Sequence, residues 1–302
     1  MNTMAAEIER HGDQYVCPDV LDLAVRVARA TTRPLLLFGA PGSGKSSLAK
    51  HIAAKQNLRF YEHVVTARTT ARDLLWSFDT VRRLSDAQTK TGVKPDKHYI
   101  SPGALWWAFD RVSAADHPRT AEPHPDWNAT RADRGAVVLI DEIDKADPDV
   151  PNSLLVPLAD RYFTVTDLDQ AQPVHEKPGP DGESLIIITS NEERELPPAF
   201  ERRCVVHRLD EHDKETLKII AGNHTGSDDK YPLDFLIGRL TDARRTAKEE
   251  QRRQPSTAEF IDAIKACVRE GITTADHPSL KPVLEMIYTK KTRGDAVQGW
   301  PL

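Results

Sequence analysis

The segment Gly39-Ala-Pro-Gly-Ser-Gly-Lys45-Ser46 satisfies G-x-x-x-x-G-K-[ST] at every fixed position. No other feature constrains the fold as much, because the motif works only as a loop running out of a strand and into a helix. Both flanks are present. Leu35–Phe38 is an apolar run bounded by Pro34 and Gly39, and Ser46–Gln56 has helical character. In that setting Gly39, Gly42 and Gly44 let the backbone turn so that successive N–H groups converge on one phosphate oxyanion, and the helix adds its positive dipole end. Gly39, Ala40, Pro41, Gly42, Ser43, Gly44, Lys45, Ser46 and Ser47 are therefore the expected nucleotide-binding set. Lys45 supplies a compact positive charge to the β- and γ-phosphates, and the Ser46 hydroxyl is expected on Mg²⁺.

A second segment fits the first. Val137-Val-Leu-Ile-Asp141-Glu142 is an apolar strand ending in two acids, which period-two alternation turns to opposite sides. Asp141 is expected to hold the Mg²⁺, largely through water, and Glu142 to orient and deprotonate the attacking water. An acidic strand end followed by a solvated turn is common by itself, and Asp144 and Asp147 stand nearby. The glycine-rich loop is what gives this pair of acids its meaning. A guanine nucleotide would call for Asn-Lys-x-Asp, which the sequence lacks, so ATP and ADP are the expected ligands.

Around these motifs the chain alternates helices and strands. Val20, Leu23, Ala24 and Val27 set a helical stripe, and Leu58–Val65 reads as a second strand. Residues 71–84 place Leu74, Leu75, Phe78, Val81 and Leu84 on one helical face, and 116–134 reads as an exposed loop of variable shape. Val137–Ile140, Leu185–Ile188 and Cys204–Leu209 complete five strands, with a hairpin beginning at Tyr162–Thr166 inserted before the fourth. The pattern predicts an α/β fold: an αβα sandwich on a five-stranded parallel sheet, then a small all-helical lid. The best-marked lid helix opens with the capping box Ser256-x-x-Glu259 after Pro255. It carries Phe260, Ile261, Ile264, Cys267 and Val268 on one face and closes at Gly271.

Composition excludes several classes. Net charge is −5, split as 26 Lys/Arg against 31 Asp/Glu up to residue 210 and 15 against 15 beyond, so nucleic acid is not expected as the main partner. No apolar run approaches the ~20 residues that span a bilayer, and the N-terminus has no secretory pattern, which makes a cytoplasmic protein without a membrane role the expectation. Cys17, Cys204 and Cys267 fit neither a disulfide framework nor a zinc site, and the eleven histidines, His207 and His212 included, show no metal spacing.

The ordered segments GAPGSGKSSLA, TTARDLLWSFDTVRRL, YISPGALWWAF, VVLIDEIDKADPDVPNSLL and IIITSNEERELPPAFERRC resemble the MoxR-like branch of AAA+ ATPases, over roughly residues 18–270. That resemblance implies Mg-ATP hydrolysis and a lead-in helix over 1–30. It further implies a core over 31–210 with an insert in helix two near 66–100 and a hairpin before sensor 1 near 162–184, and a lid and tail over 211–302. It places sensor 1 at Asn191, reaching the γ-phosphate or the attacking water beside Glu142. It places the arginine finger, which serves a neighbouring subunit, at Arg202 or Arg203, with Arg203 favoured as the nearer to the fifth strand. Surface ion pairs with Glu192, Glu193, Glu195 or Glu201 are the plain alternative for these arginines. A homo-oligomeric, hexameric ring follows from the family, as does a partner protein, often one with a von Willebrand A-type domain.

Two departures stand out. No arginine occupies the start of the lid helix, Ser256-Thr-Ala-Glu259, where sensor 2 is usual, so sensor 2 is missing or comes from an arginine within 239–253. Pro157 interrupts the helix expected after the acidic strand, which should kink or stop there. The Leu105-Trp-Trp107 and Phe109 cluster reads as core or as a partner-binding patch, and the basic run at 244–253 as a solvated helix face. Three functions remain open: a ring-forming ATPase that remodels or activates another protein, an ATP-gated assembly switch with slow turnover, and a nucleic-acid-linked motor.

Overall fold

Five apolar runs become neighbouring parallel strands: β1 (Leu35–Phe38), β2 (Arg59–Val64), β5 (Ala136–Asp141), β8 (Leu185–Ser190) and β9 (Val205–Arg208), in spatial order β2-β5-β8-β1-β9. Registers such as Leu36↔Ile188, Val138↔Ile186 and Phe60↔Val137 line up the apolar side chains. Alternation then sorts them. Leu36, Tyr61, Val138, Ile140, Ile186 and Ile188 face one core. Leu35, Leu37, Phe60, Val137, Leu139 and Ile187 face the other, built with Leu48 and Ile52 of the helix Lys45–Lys55. Both faces are covered, as an all-parallel sheet requires.

The computed structural model describes residues 3–89, 92–118, 120–180, 182–225 and 231–288. They form two compact units, Met1–Gly39 with Lys45–Leu209, and Ala40–Gly44 with Asp210–Leu302. Of the lid and tail expected over 211–302, residues 226–230 and 289–302 lie outside the described residues.

In the first unit several readings need correction. The helix Asp19–Thr31 forms, but Leu21, Val25 and Ala28 are its buried face while Val20, Leu23 and Val27 are exposed. Apolar residues nearly encircle this helix, so local periodicity leaves its orientation open, and packing on the sheet decides it. Residues 71–84 are not one helix. Thr70 and Asp73 form a capping box on Ala71–Leu75, and the chain then extends as β3 (Trp76–Phe78), antiparallel to β4 (Ile100–Pro102). The following helix, Thr80–Gln88, leaves Val81 and Leu84 exposed. The stretch 116–134 is less irregular than expected. Trp127 Nε1 donates to Leu58 O at 2.9 Å, and the buried Asn128 bonds both Phe60 N and Phe60 O, stitching the loop onto β2.

Trp106, Trp107 and Phe109 are core, packed against the hairpin β6 (Tyr162–Val165) and β7 (Gln172–His175) as well as the sheet. The helix after β5 breaks into Asp149–Ser153 and Leu155–Asp160. Pro157 has no N–H for the Ser153 carbonyl, so the break falls one turn ahead of it.

Among the described residues the second unit contains four helices, Lys214–Thr225, Leu233–Glu249, Thr257–Glu270 and Leu280–Tyr288, around Leu236, Leu240, Phe260, Ile264, Cys267 and Leu284. The capping box at Ser256 and Glu259 is formed, and Gly271 closes the helix at φ 65°. Ala263 replaces Val268 on the buried face; Val268 is exposed. No helix among the described residues is long and apolar enough to cross a membrane.

Candidate functional site

The loop after β1 turns as its sequence requires: Gly39, Gly42 and Gly44 take φ of 152°, 78° and 95°. Gly42 belongs to the second unit, where it packs on the start of the helix Thr257–Glu270. Ala258 N donates to Gly42 O at 3.2 Å, and a Cβ added at Gly42 would meet Ser256 Oγ at 2.5 Å. In the same loop Ser43 Oγ is buried with no hydrogen-bond partner among the described residues. Ala40, Pro41 and Gly42 are exposed, and Ser47 is half-buried.

Lys45, the first residue of the helix Lys45–Lys55, is 5% exposed. Its ammonium donates to Gly39 O at 2.6 Å and to Asn191 Oδ1 at 2.7 Å. Burial pulls its pKa down, against the opposing pull of the Asp141, Asp144 and Glu142 carboxylates. One residue on, Ser46 Oγ donates to Asp141 Oδ1 at 2.7 Å. A hydroxyl and a carboxylate oxygen side by side form a hard oxygen donor pair, the kind Mg²⁺ takes while keeping most of its waters.

Asp141 and Glu142 part company at the strand end. Asp141 stays in β5, whereas Glu142 enters the left-handed region at φ 61°. The Thr189 hydroxyl bridges them, donating to Asp141 Oδ1 at 2.6 Å and accepting from Glu142 N at 2.9 Å. The Glu142 carboxylate then meets Asn191 Nδ2 at 3.2 Å and Lys145 Nζ at 2.5 Å. Asn191, just past β8, thus spans from Lys45 to Glu142. Ser46, Asp141, Glu142, Asn191 and Lys45 come together from three separate segments.

Arg202 and Arg203 do not join this cluster. Both are exposed and, among the described residues, neither makes an ion pair; Arg203 Nη1 only touches Ala199 O at 3.3 Å. The alternative of surface ion pairs is not realised for either arginine among the described residues; Glu192 pairs instead with Arg208 through two contacts of 2.5 Å. Arginines between 239 and 253 are occupied inside the second unit. Arg244, almost buried, donates to Pro255 O at 2.9 Å, and Arg245, Arg252 and Arg253 pair with Asp242, Glu250 and Glu259.

Sequence reasoning missed Thr189 and passed over Asp144, which is 2% exposed and accepts from Asn191 N and Glu193 N. The available signals were a hydroxyl at the end of an otherwise aliphatic strand and a third acid three residues after the first.

A strand, a glycine-rich turn and a helix opening on Lys-Ser, set beside a strand that ends in two acids, define a P-loop nucleoside triphosphatase core. Residues 34–204 match the AAA domain family, dynein-related subfamily; the chain belongs to that family, binds nucleotide and is an ATPase. Among solved structures it is similar to the RuvB Holliday junction branch migration motor of Thermotoga maritima, with 15% identity over 89% of this chain and 67% of that one and a TM-score of 0.47. It is also similar to a Cytophaga hutchinsonii protein provisionally described as an ATPase, with 16% identity over 93% and 84% and a TM-score of 0.43. No curated protein matches it in sequence.

Proposed function

We propose that the chain hydrolyses Mg-ATP in a homo-oligomeric ring and uses the cycle to remodel or activate a partner protein, in the manner of the MoxR-like branch. The observation that carries the catalytic part is Asn191, whose amide meets Lys45 at one end and Glu142 at the other. The loop from Gly39 to Ser47 holds the phosphates through backbone N–H groups, with Lys45 on the β- and γ-phosphates. Ser46 and Asp141 hold Mg²⁺, which supplies positive charge against the phosphate oxygens.

Glu142 takes a proton from water as the water oxygen bonds to the γ-phosphorus. The bond from that phosphorus to the β,γ-bridging oxygen breaks, and ADP leaves with the electron pair. Asn191 orients the water. Glu142 must release Lys145 to act as the base, since Lys145 Nζ occupies one of its carboxylate oxygens at 2.5 Å. Arg203, with Arg202 as the alternative, reaches the nucleotide of a neighbouring subunit; its exposure supports that reading, as does its making no ion pair among the described residues. The hairpin β6–β7 and the elements over 66–89 and 92–100 are the proposed points of contact with a client.

The experiment is Glu142→Gln, which removes the base and keeps the shape. The variant should bind ATP, stop turning over and accumulate as a large oligomer with its client attached. A variant that stays monomeric with ATP bound contradicts the ring. An ATP-gated switch with slow turnover is the second reading. It is favoured by Ser256 and Ala258 standing against Gly42 in the place of an arginine. Wild-type turnover that is negligible despite tight ATP binding would select it.

A further inference from the structure

Asp141-Glu-Ile-Asp144 contains three acids, and only the third is withdrawn from water: Asp144 is 2% exposed, while Asp141 and Glu142 are half-buried. A buried carboxylate is unfavourable unless its oxygens are bonded. Asp144 satisfies only one of them. Its Oδ2 accepts from Asn191 N at 3.1 Å and from Glu193 N at 2.9 Å. Its Oδ1 is buried with no hydrogen-bond partner among the described residues.

The two amides it captures flank Glu192, which sits at φ 61°, a conformation a residue with a Cβ adopts reluctantly. The turn after β8 is thus held in an unfavourable shape by one buried oxygen. From that turn the Asn191 side chain leaves to meet Lys45 at 2.7 Å and Glu142 at 3.2 Å. Glu142 itself is fixed from elsewhere, by Thr189 on its amide and Lys145 on its carboxylate. Asp144 therefore acts on one partner of the catalytic pair and not on the other.

We propose that Asp144 is a positioning residue for ATP hydrolysis, bracing the 191–193 turn so that the Asn191 amide stands between Lys45 and Glu142. This rests on the reading of Asn191 as the residue that orients the attacking water. Charge-assisted bonds from two backbone amides to one carboxylate oxygen are the stronger kind, and loss of such a brace misplaces a catalytic group without removing it.

The test is a double-mutant cycle read by steady-state turnover and by equilibrium binding of ATP. Asp144→Ala should lower kcat by about 10- to 100-fold and leave ATP affinity within about threefold, as a site uncoupled from binding does. Asp144→Asn, whose oxygen can take the place of Oδ2, should recover most of the lost kcat. In the Asn191→Ala background, where there is no amide left to place, either substitution should change kcat by less than about twofold. Effects that multiply with Asn191→Ala overturn the assignment, as does a loss of ATP affinity matching the loss of kcat. If Asp144→Ala fails to fold, Asp144→Leu, close to aspartate in shape and without an acceptor for the two amides, carries the same cycle. An Asn191→Ala protein that turns over normally strikes at the role given to Asn191 instead, so the two failures are distinct.

Discussion

Ser256 stands against Gly42: a Cβ built on the glycine would lie 2.5 Å from the serine Oγ and 2.8 Å from its Cβ. Gly42 also sits at φ 78°, so a side chain there meets both a steric and a conformational obstacle. Gly42→Ala should weaken ATP binding by about tenfold or more, since left-handed strain alone is about 1–2 kcal/mol. Adding Ser256→Gly removes the two shortest contacts but leaves Ala258 Cβ at 3.1 Å and the strain, so it should restore affinity only in part. Full recovery in the double variant would mean the backbone conformation of the loop is irrelevant.

Thr189 offers a second test. Thr189→Val keeps the shape but strips the hydroxyl that bridges Asp141 and Glu142 N. A buried amide left without its acceptor costs roughly 1–3 kcal/mol. Thermal unfolding should register that loss, and kcat should fall with it because Glu142 is no longer held at the strand end. Thr189→Ser should restore both. A valine variant with unchanged kcat would show that the bridge has no catalytic consequence.

Arg203 and Arg202 are exposed and carry no ion pair among the described residues, so removing either should change stability by less than about 0.5 kcal/mol. Their proposed use lies in the next subunit. Arg203→Ala should cut turnover by about 10³-fold or more, and mixing it with Lys45→Ala protein should return partial activity, because each supplies what the other lacks. No complementation in the mixture would argue against a finger acting across subunits.

The histidines set a pH dependence of stability. His51, His63, His117, His124 and His212 all have pKa values pulled below 6.5, chiefly by burial, with Arg244 adding to the effect at His212. As pH falls below that ordinary value, the unfolded chain takes up protons that the folded chain refuses, so stability falls until the folded values are passed. Glu7 and Glu192 are lowered by Lys50 and Arg208, and they contribute above the ordinary carboxylate value and lose that contribution only in more acid solution. Urea unfolding at about pH 7.5 and about pH 5.5 should therefore show a drop before the carboxylates titrate. A flat profile over that interval would contradict the depressed values.

Much of the core and the phosphate loop was legible because local pattern and local need coincide there. Leu35–Phe38 is a strand to the residue, the loop glycines occur where φ is positive, and Ser256 with Glu259 caps its helix as the spacing says. What was not legible depends on distant partners. Val81 and Leu84 continue the period of Leu74 and Leu75, yet pairing of Trp76–Phe78 with Ile100–Pro102 breaks the helix, and Trp76 Nε1 bonds Asp167 far along the chain. The face of Asp19–Thr31 was ambiguous because its apolar residues point nearly all round. Trp127 and Asn128 read as loop because the side-chain bonds that fix them run to Leu58 and Phe60, nearly seventy residues back along the chain. Asp144 resembled a turn acid because burial leaves no trace in one sequence.

The central claim is that the loop from Gly39 to Ser47 and the Ser46–Asp141 pair hold Mg-ATP. Equilibrium titration of ATP, with and without Mg²⁺, into wild-type and Lys45→Ala protein tests it directly. The account predicts affinity that depends on Mg²⁺ and that falls by at least about tenfold, ~1.4 kcal/mol, without the ammonium. Equal affinity in the two proteins, or none that responds to Mg²⁺, would contradict it.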